Sequence, residues 1–166
     1  MVAIGIDNGV SGTIGVITPT ETIFIQTPVF SQQDYTKAKQ NITRVDFKKL
    51  VKFLDSLILK YQEERFMTLL ERPMKNPGRF TATISGVRAM EALVNAIEFH
   101  NIPMDHIDSK EWQRALLPQG VKGDELKVAS KDIGCRLFPE HTELILKHKD
   151  ADGILIAEYC RRKFGV

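Results

Sequence analysis

Two acidic residues stand at the ends of short apolar segments that the sequence predicts to be β-strands. Asp7 follows the apolar run 2–6 and precedes Asn-Gly, while Glu71 follows the run 66–70 and precedes Arg-Pro. An apolar, partly β-branched run stopped by turn residues is typical of a buried strand. If these strands are parallel neighbours, Asp7 and Glu71 meet at the edge where open α/β sheets carry their chemistry. Carboxylates that close repel each other unless a proton or a metal ion lies between them, so the pair predicts a divalent-metal site.

Composition limits the class of protein. A chain of 166 residues suits one domain, over residues 1–166, that can bury a substantial core. The net charge of +2 is too small to indicate a partner by itself. Cys135 and Cys160 lie far apart without a pairing motif, which favours a reduced, cytoplasmic protein. The sequence has no apolar run of membrane-spanning length and no signal peptide at its start.

The first half of the chain predicts three strands and a helix. Residues 12–18 and 22–27 continue the first strand as an antiparallel meander, and residues 28–42 are polar enough to predict a mobile loop. The segment Thr43–Asp46 has the form of a capping box with Asp in place of Glu. Apolar residues then recur at helical spacing: Leu50, Leu54, Leu57, Ile58 and Tyr61.

The second half alternates a strand with helices. A basic loop over 74–79 follows Glu71, and a long helix is predicted over 83–100. Its apolar residues lie on or near one face: Ile84, Val87, Leu93, Val94 and Ile97. A short strand over 103–107 precedes three helices, which begin at Ser109, at Asp124 and near Asp150.

The order β-β-β-α-β-α-β-α-α-α, with acids on strands 1 and 4 and on the last helix, is the ribonuclease-H-like plan. It predicts a mixed five-stranded sheet flanked by helices. Three segments resemble the acidic motifs of RuvC-type Holliday-junction resolvases: Ile6–Gly9, Leu70–Pro73 and His148–Ala157. Three others are similar to the phage-encoded branch of that family: Ser109–Pro118, Lys127–Ser130 and Leu137–Pro139. The resemblance covers nearly the whole chain, in the same order.

This resemblance implies a homodimeric endonuclease that nicks two opposed strands of a four-way DNA junction with Mg²⁺ or Mn²⁺. Such ions take oxygen ligands, and a pair about 3.5–4 Å apart can activate the attacking water and stabilise the leaving oxygen. Asp7 would bridge two ions, and Glu71 and Asp152 would each complete the shell of one. The implied catalytic and metal-binding set is Asp7, Glu71, Asp150 and Asp152.

The third motif departs from the commonest family pattern, in which two acids lie three residues apart. Lys149 stands three residues before Asp152, and a lysine cation cannot bind a metal ion. Asp150 and His148 are therefore both candidates for the missing ligand. On a continuous helix His148 would share a face with Asp152, whereas Asp150 would join them only if it preceded the regular helix.

Basic residues near the acidic motifs are predicted to contact DNA. Lys75 and Arg79 lie in the loop directly after Glu71, and Lys110 and Lys127 match family lysines that contact DNA near the scissile phosphate. Many relatives wedge an aromatic residue into the junction three positions after the glutamate. That position is Met74 here, with Phe80 further on, and Trp112 is predicted to belong to the core.

Three other functions also fit this sequence. The segment Ile6–Thr13 loosely resembles the phosphate-binding hairpin of actin-like and sugar-kinase proteins, although these are longer chains with two such domains. A ribonuclease-H-fold nuclease for other branched DNA is a second alternative. A non-catalytic junction-binding module is a third, because Lys149 stands where the family has an acid.

Overall fold

A five-stranded mixed sheet forms the centre of the protein in a computed structural model, which describes residues 1–35, 37 and 39–165. Among these residues the strands are β1 (Val2–Ile6), β2 (Thr13–Ile17), β3 (Thr22–Gln26), β4 (Val29–Gln33), β5 (Asn41–Val45), β6 (Phe66–Glu71) and β7 (Met104–Ile107). The helices are α1 (Phe47–Lys60), α2 (Phe80–Phe99), α3 (Ser109–Leu116), α4 (Glu125–Leu137), α5 (Thr142–Lys147) and α6 (Asp152–Phe164). None of the helices in the described ranges combines the length and hydrophobicity that a membrane span requires.

The sheet has the strand order β3-β2-β1-β6-β7, which places β1 at its centre. Strand β1 is antiparallel to β2 and parallel to β6, with Ile6 opposite Leu70. Because the next residue along each strand follows the same register, Asp7 and Glu71 meet at one edge of the sheet. The predicted mixed five-stranded sheet flanked by helices is confirmed.

The two faces of the sheet carry two hydrophobic clusters. Alternate residues of β1 enter opposite clusters because successive side chains of a strand point to opposite faces. Ile4 and Ile6 pack with α1 and α2, whereas Ala3 packs with α3 and α6. Asp7 has the parity of Ala3 and therefore points to the face that α6 covers.

Glycines allow α6 to lie directly on β1 and β2. A Cβ atom at Gly5 would stand 2.0 Å from the backbone nitrogen of Ala157, and one at Gly15 would stand 2.3 Å from the Cα of Ile154. Thr13 joins the start of the helix to the end of the strand: its Oγ1 accepts a hydrogen bond from the Gly153 nitrogen, and its carbonyl accepts one from the Asp7 nitrogen, each 3.0 Å long. This packing brings the first turn of α6 to the tip of β1.

The predicted mobile loop over 28–42 is wrong for most of its length. Residues Val29–Gln33 pair with Asn41–Val45 as an antiparallel hairpin, β4–β5, outside the central sheet. Its strands expose most of their side chains, so polar composition did not distinguish a hairpin from a loop. Positions 36 and 38 of the predicted loop lie outside the described residues.

Helix boundaries also differ from the prediction. The capping box at Thr43–Asp46 is wrong, because Asp46 itself precedes α1 and its carboxylate accepts a hydrogen bond from the Lys49 nitrogen at 3.1 Å. Helix α5 is absent from the prediction, and α6 begins at Asp152, within two residues of its predicted start near Asp150. Helix α2 begins at Phe80, and its buried residues are Ala89, Leu93, Ala96 and Ile97.

The prediction that the apolar residues of α2 lie on or near one face is wrong. Ile84 and Val87 are exposed, whereas Leu93 and Ile97 belong to the core. Apolar residues therefore occupy two sides of this helix, and only one of them packs on the sheet.

Candidate active site

Three aspartates meet where β1 ends and α6 begins. Asp7 directly follows β1, Asp150 lies in the segment between α5 and α6, and Asp152 is the first residue of α6. One carboxylate oxygen from each lies within 4.8 Å of the others. Their separation along the chain is about 140 residues between Asp7 and the other two, so only the packing of α6 on β1 brings them together.

Glu71 borders this cluster. The parallel register of β1 and β6 places it beside Asp7, and its charge is among the influences that raise the pKa of Asp7. Its Oε1 accepts a hydrogen bond of 3.2 Å from the indole nitrogen of Trp112. Trp112 is fully buried, which confirms its predicted place in the core, so the Glu71 side chain is hydrogen-bonded to a core residue.

The structure brings Asp150 to the cluster rather than His148. The segment before α6 is not helical, so helical periodicity does not govern which of its side chains lie near Asp152. The Asp150 carboxylate is buried and accepts a hydrogen bond of 3.3 Å from the Asp152 nitrogen. The His148 ring instead packs edge-on against Phe24, with 5.5 Å between ring centroids.

Ser130 of α4 supports the cluster and was not predicted as a site residue. Its hydroxyl donates a hydrogen bond of 2.6 Å to Oδ1 of Asp152 and accepts one of 3.0 Å from the Ala151 nitrogen. The side chain is buried. A serine within a helix carries no sequence signal for such a contact, and its partner stands 22 residues further along the chain.

Burial and mutual repulsion raise the pKa values of these acids. Burial is the largest cause for Asp7, whose pKa rises to about 8, with Lys149 opposing the shift and Glu71 and Asp150 adding to it. Burial likewise raises the pKa of Glu71 to about 7, against the Trp112 hydrogen bond and with a contribution from Asp152. The pKa of Asp152 rises to about 7 through burial and the charges of Asp150 and Asp7. A further cation would therefore stabilise the ionised cluster.

Lys149 reaches into the cluster from its rim. Its ammonium nitrogen lies 3.2 Å from Oδ2 of Asp7 and 3.5 Å from Oδ2 of Asp150. Burial disfavours its charged form, but the carboxylates of Asp7 and Asp150 outweigh burial and raise the pKa of Lys149. The lysine is therefore a charged member of the site.

The cluster fits a hard divalent cation. Its donors are carboxylate oxygens, which Mg²⁺ and Mn²⁺ prefer. Oδ2 of Asp7 is buried, and the charged group that faces it is the Lys149 ammonium at 3.2 Å. One ammonium does not balance three aspartates and Glu71, so the ionised cluster needs a further cation.

The four basic residues predicted to contact DNA are all exposed and lie on segments that border the site. Lys75 and Arg79 occupy the segment between β6 and α2, Lys110 lies in the first turn of α3, and Lys127 lies three residues before Ser130 on α4. None of the four forms an ion pair with a residue that the structure describes. Their charges are thus free to meet phosphates.

Comparison with known proteins identifies the fold. The sequence matches no family model and no curated protein sequence. The structure is similar to that of T. thermophilus RuvC in complex with a Holliday junction substrate, with a TM-score of 0.58, 13% identity and coverage of 99% of this chain and 97% of that chain. A second Thermus thermophilus RuvC structure matches with a TM-score of 0.54, 14% identity and the same coverage of 99% and 97%. The chain therefore has the ribonuclease-H-like fold of these RuvC structures.

Proposed function

We propose that this protein is a metal-dependent endonuclease that resolves four-way DNA junctions by paired nicks. One observation carries the proposal: Asp7, Asp150 and Asp152 converge beside Glu71 at the sheet edge of a RuvC-like fold. The RuvC structure with the same fold holds a Holliday junction substrate. We also propose that residues 1–166 act as a single nuclease domain, and that the chain belongs to the phage-encoded branch of this family.

The acids would hold Mg²⁺ or Mn²⁺, and two ions is the number expected from the resemblance. A divalent ion there would supply the positive charge that in-line hydrolysis of a phosphodiester needs. The chain's own residues set the geometry. The Ser130 hydroxyl orients Asp152, and the Trp112 indole orients Glu71. Such supporting hydrogen bonds fix the direction of ligand oxygens before the substrate arrives.

DNA would approach over the exposed residues around this edge. Lys75, Arg79, Lys110 and Lys127 would contact phosphates without reading the base sequence. Met74 and Phe80 are 80% and 70% exposed in the segment that follows Glu71. Apolar side chains at such positions can pack against unstacked bases at the centre of a junction.

A homodimer would place two such sites on one junction. The proposed contact is α2, where Ile84 and Val87 are exposed on the side that does not pack on the sheet. Exposed apolar residues that share one side of a helix favour a protein contact. A two-fold axis through this surface would present identical active sites to opposed strands.

The test is cleavage of an end-labelled four-way junction with Mg²⁺, beside a linear duplex of the same sequence. The proposal expects two symmetric nicks in the junction, an intact duplex, and no cleavage by Asp7→Asn. Equal cleavage of the duplex would contradict the resolvase assignment and leave a less selective nuclease.

The second candidate is a non-catalytic junction-binding module, which the contact of Lys149 with Asp7 favours. It predicts tight junction binding without cleavage at any concentration of Mg²⁺ or Mn²⁺. The same gel, read for both bound and cleaved species, separates the two functions.

A further inference from the structure

We propose that the Lys149 ammonium permanently occupies one of the two cation positions of this site, so that each chain binds a single divalent ion. The inference deepens the proposed function, on which its catalytic meaning rests. It concerns a residue at the position where the family commonly has a fourth acid.

Lys149 forms ion pairs with two of the carboxylates that a second metal ion would share. Its nitrogen lies between two carboxylates, 3.2 Å from Oδ2 of Asp7 and 3.5 Å from Oδ2 of Asp150. Asp7 is the residue that would bridge two ions, because β1 is the central strand of the sheet. One of its oxygens is therefore engaged by a cation that the chain itself supplies.

The backbone of Lys149 is fixed on both sides. The backbone at Lys149 lies between the end of α5 and the first residue of α6, only three positions before Asp152. Asp150, its immediate neighbour, is buried and tied to the Asp152 nitrogen. The backbone that carries Lys149 is consequently a short stretch fixed close to Asp7, and the side chain, 42% exposed, reaches the carboxylates from the rim of the site.

Charge balance supports one ion rather than two. With all four carboxylates ionised, as ligands to a metal ion must be, four negative charges and one ammonium give a formal charge of −3. One divalent ion reduces this to −1, whereas two would give +1 and place the second ion against the ammonium at Asp7. Repulsion between like charges at contact distance in a buried site opposes that second ion. The single divalent ion would therefore bind at the other cation position, on the side of Asp152 and Glu71.

The experiment counts Mn²⁺ ions bound per chain, by calorimetric titration and by electron paramagnetic resonance of free Mn²⁺. Wild type is expected to bind one ion. Lys149→Met is expected to bind two and to hold the first at least about tenfold more tightly, because a repelling charge is gone. Lys149→Arg keeps the cation and is expected to bind one.

Lys147→Met is the matched control. Lys147 is an exposed lysine two residues away whose ion pair is with Glu143, outside the site, so its loss should leave the count at one. Two ions in wild type would overturn the inference whatever the variants do. One ion in a Lys149→Met protein with native circular dichroism would overturn it as well, and Lys149→Gln replaces that variant if it does not fold.

Junction cleavage measured on the same samples separates this inference from the proposed function. A count that changes from one to two without any DNA cleavage upholds the role of Lys149 and contradicts the nuclease. Junction cleavage by a wild-type protein that binds two ions upholds the nuclease and contradicts the role of Lys149.

Discussion

Asp7 links the members of the cluster, since it contacts Lys149 and its pKa responds to Glu71 and Asp150. We expect Asp7→Asn and Glu71→Gln to lower the single-turnover rate of junction cleavage by more than about a hundredfold, because each removes a ligand charge. Junction affinity in a gel-shift assay should be unchanged or higher. Asp132→Asn, which changes an exposed acid on α4, is the control. Cleavage within about tenfold of wild type in either site variant would contradict the assignment.

The third motif gives a second test at the residue scale. Asp150 joins the cluster and His148 packs on Phe24, so Asp150→Asn should impair cleavage as severely as Asp152→Asn. His148→Ala should reduce the rate by only a few fold, through loosened packing rather than lost chemistry. Single-turnover rates at saturating Mg²⁺ measure both. The reverse order of effects would make His148 the functional residue of this motif.

At the scale of the element, the contact between α6 and the sheet decides whether the aspartates meet. Gly5→Ala should lower the free energy of unfolding by about 3 kcal/mol or more, because its Cβ would collide with the α6 backbone. Urea denaturation measures this loss. Gly86→Ala is the control, since its Cβ would come no closer than 3.5 Å to Pro73 and a helical alanine is favourable. A Gly5→Ala protein as stable as wild type would contradict the close packing of α6 on β1.

A Gly5→Ala protein that remains folded but no longer cleaves junctions would show a weaker form of this collision. If α6 shifted to accept the new methyl group, Asp152 and Asp150 would move away from Asp7. The element thus links the stability of the fold to the geometry of its site.

At the scale of the whole molecule, the raised pKa values make stability depend on pH and metal. An acid with a raised pKa binds more protons when folded than when unfolded, so its contribution to the free energy of unfolding falls as pH rises. For Asp7 this occurs between about pH 3.8 and about pH 8. Without metal, Asp7→Asn should therefore melt at a higher temperature than wild type at pH 8, and the difference should vanish near pH 4.

Adding Mn²⁺ to the same melting experiment tests whether a metal ion relieves the repulsion between the acids. It should raise the melting temperature of wild type at pH 8 by neutralising the ionised acids, and should raise that of Asp7→Asn less. Acids with a lowered pKa, such as Glu158 beside Arg161, also make stability depend on pH. They are present in both proteins, so their contribution cancels in the difference between the melting temperatures of wild type and Asp7→Asn. A metal-free Asp7→Asn protein less stable than wild type at pH 8 would contradict the repulsion at the site.

Junction specificity is also a property of the whole molecule, because it requires two sites in one dimer. On a supercoiled plasmid with an extruded cruciform, a dimer that cuts both strands before dissociating yields linear product directly. Nicked circles should remain scarce, and linear duplex should survive the same protein concentration. Ile84→Glu should break the proposed α2 contact and yield nicked circles instead. Nicked circles from wild type would contradict paired cleavage.

Much of the fold follows from local sequence. The apolar run before Asp7 and the one that ends at Glu71 predict two strands, and their parallel pairing follows from the ribonuclease-H-like order of elements. Strand identity depends on side-chain alternation and turn residues within a few positions, so sequence suffices for it. The β4–β5 hairpin escaped prediction because its strands are stabilised by pairing with each other while most of their side chains stay exposed.

The composition of the site was only partly determined by sequence. Asp7, Glu71 and Asp152 follow from motifs, whereas the choice between Asp150 and His148 depended on where α6 begins. The hydrogen bonds of Ser130 with Asp152 and of Trp112 with Glu71 join residues 22 and 41 positions apart. Such contacts exist only after helices have packed on the sheet, because side-chain direction at long sequence separation is a property of tertiary packing. Sequence therefore determined which acids the chain carries to the edge, and tertiary structure decided which side chains hold them there.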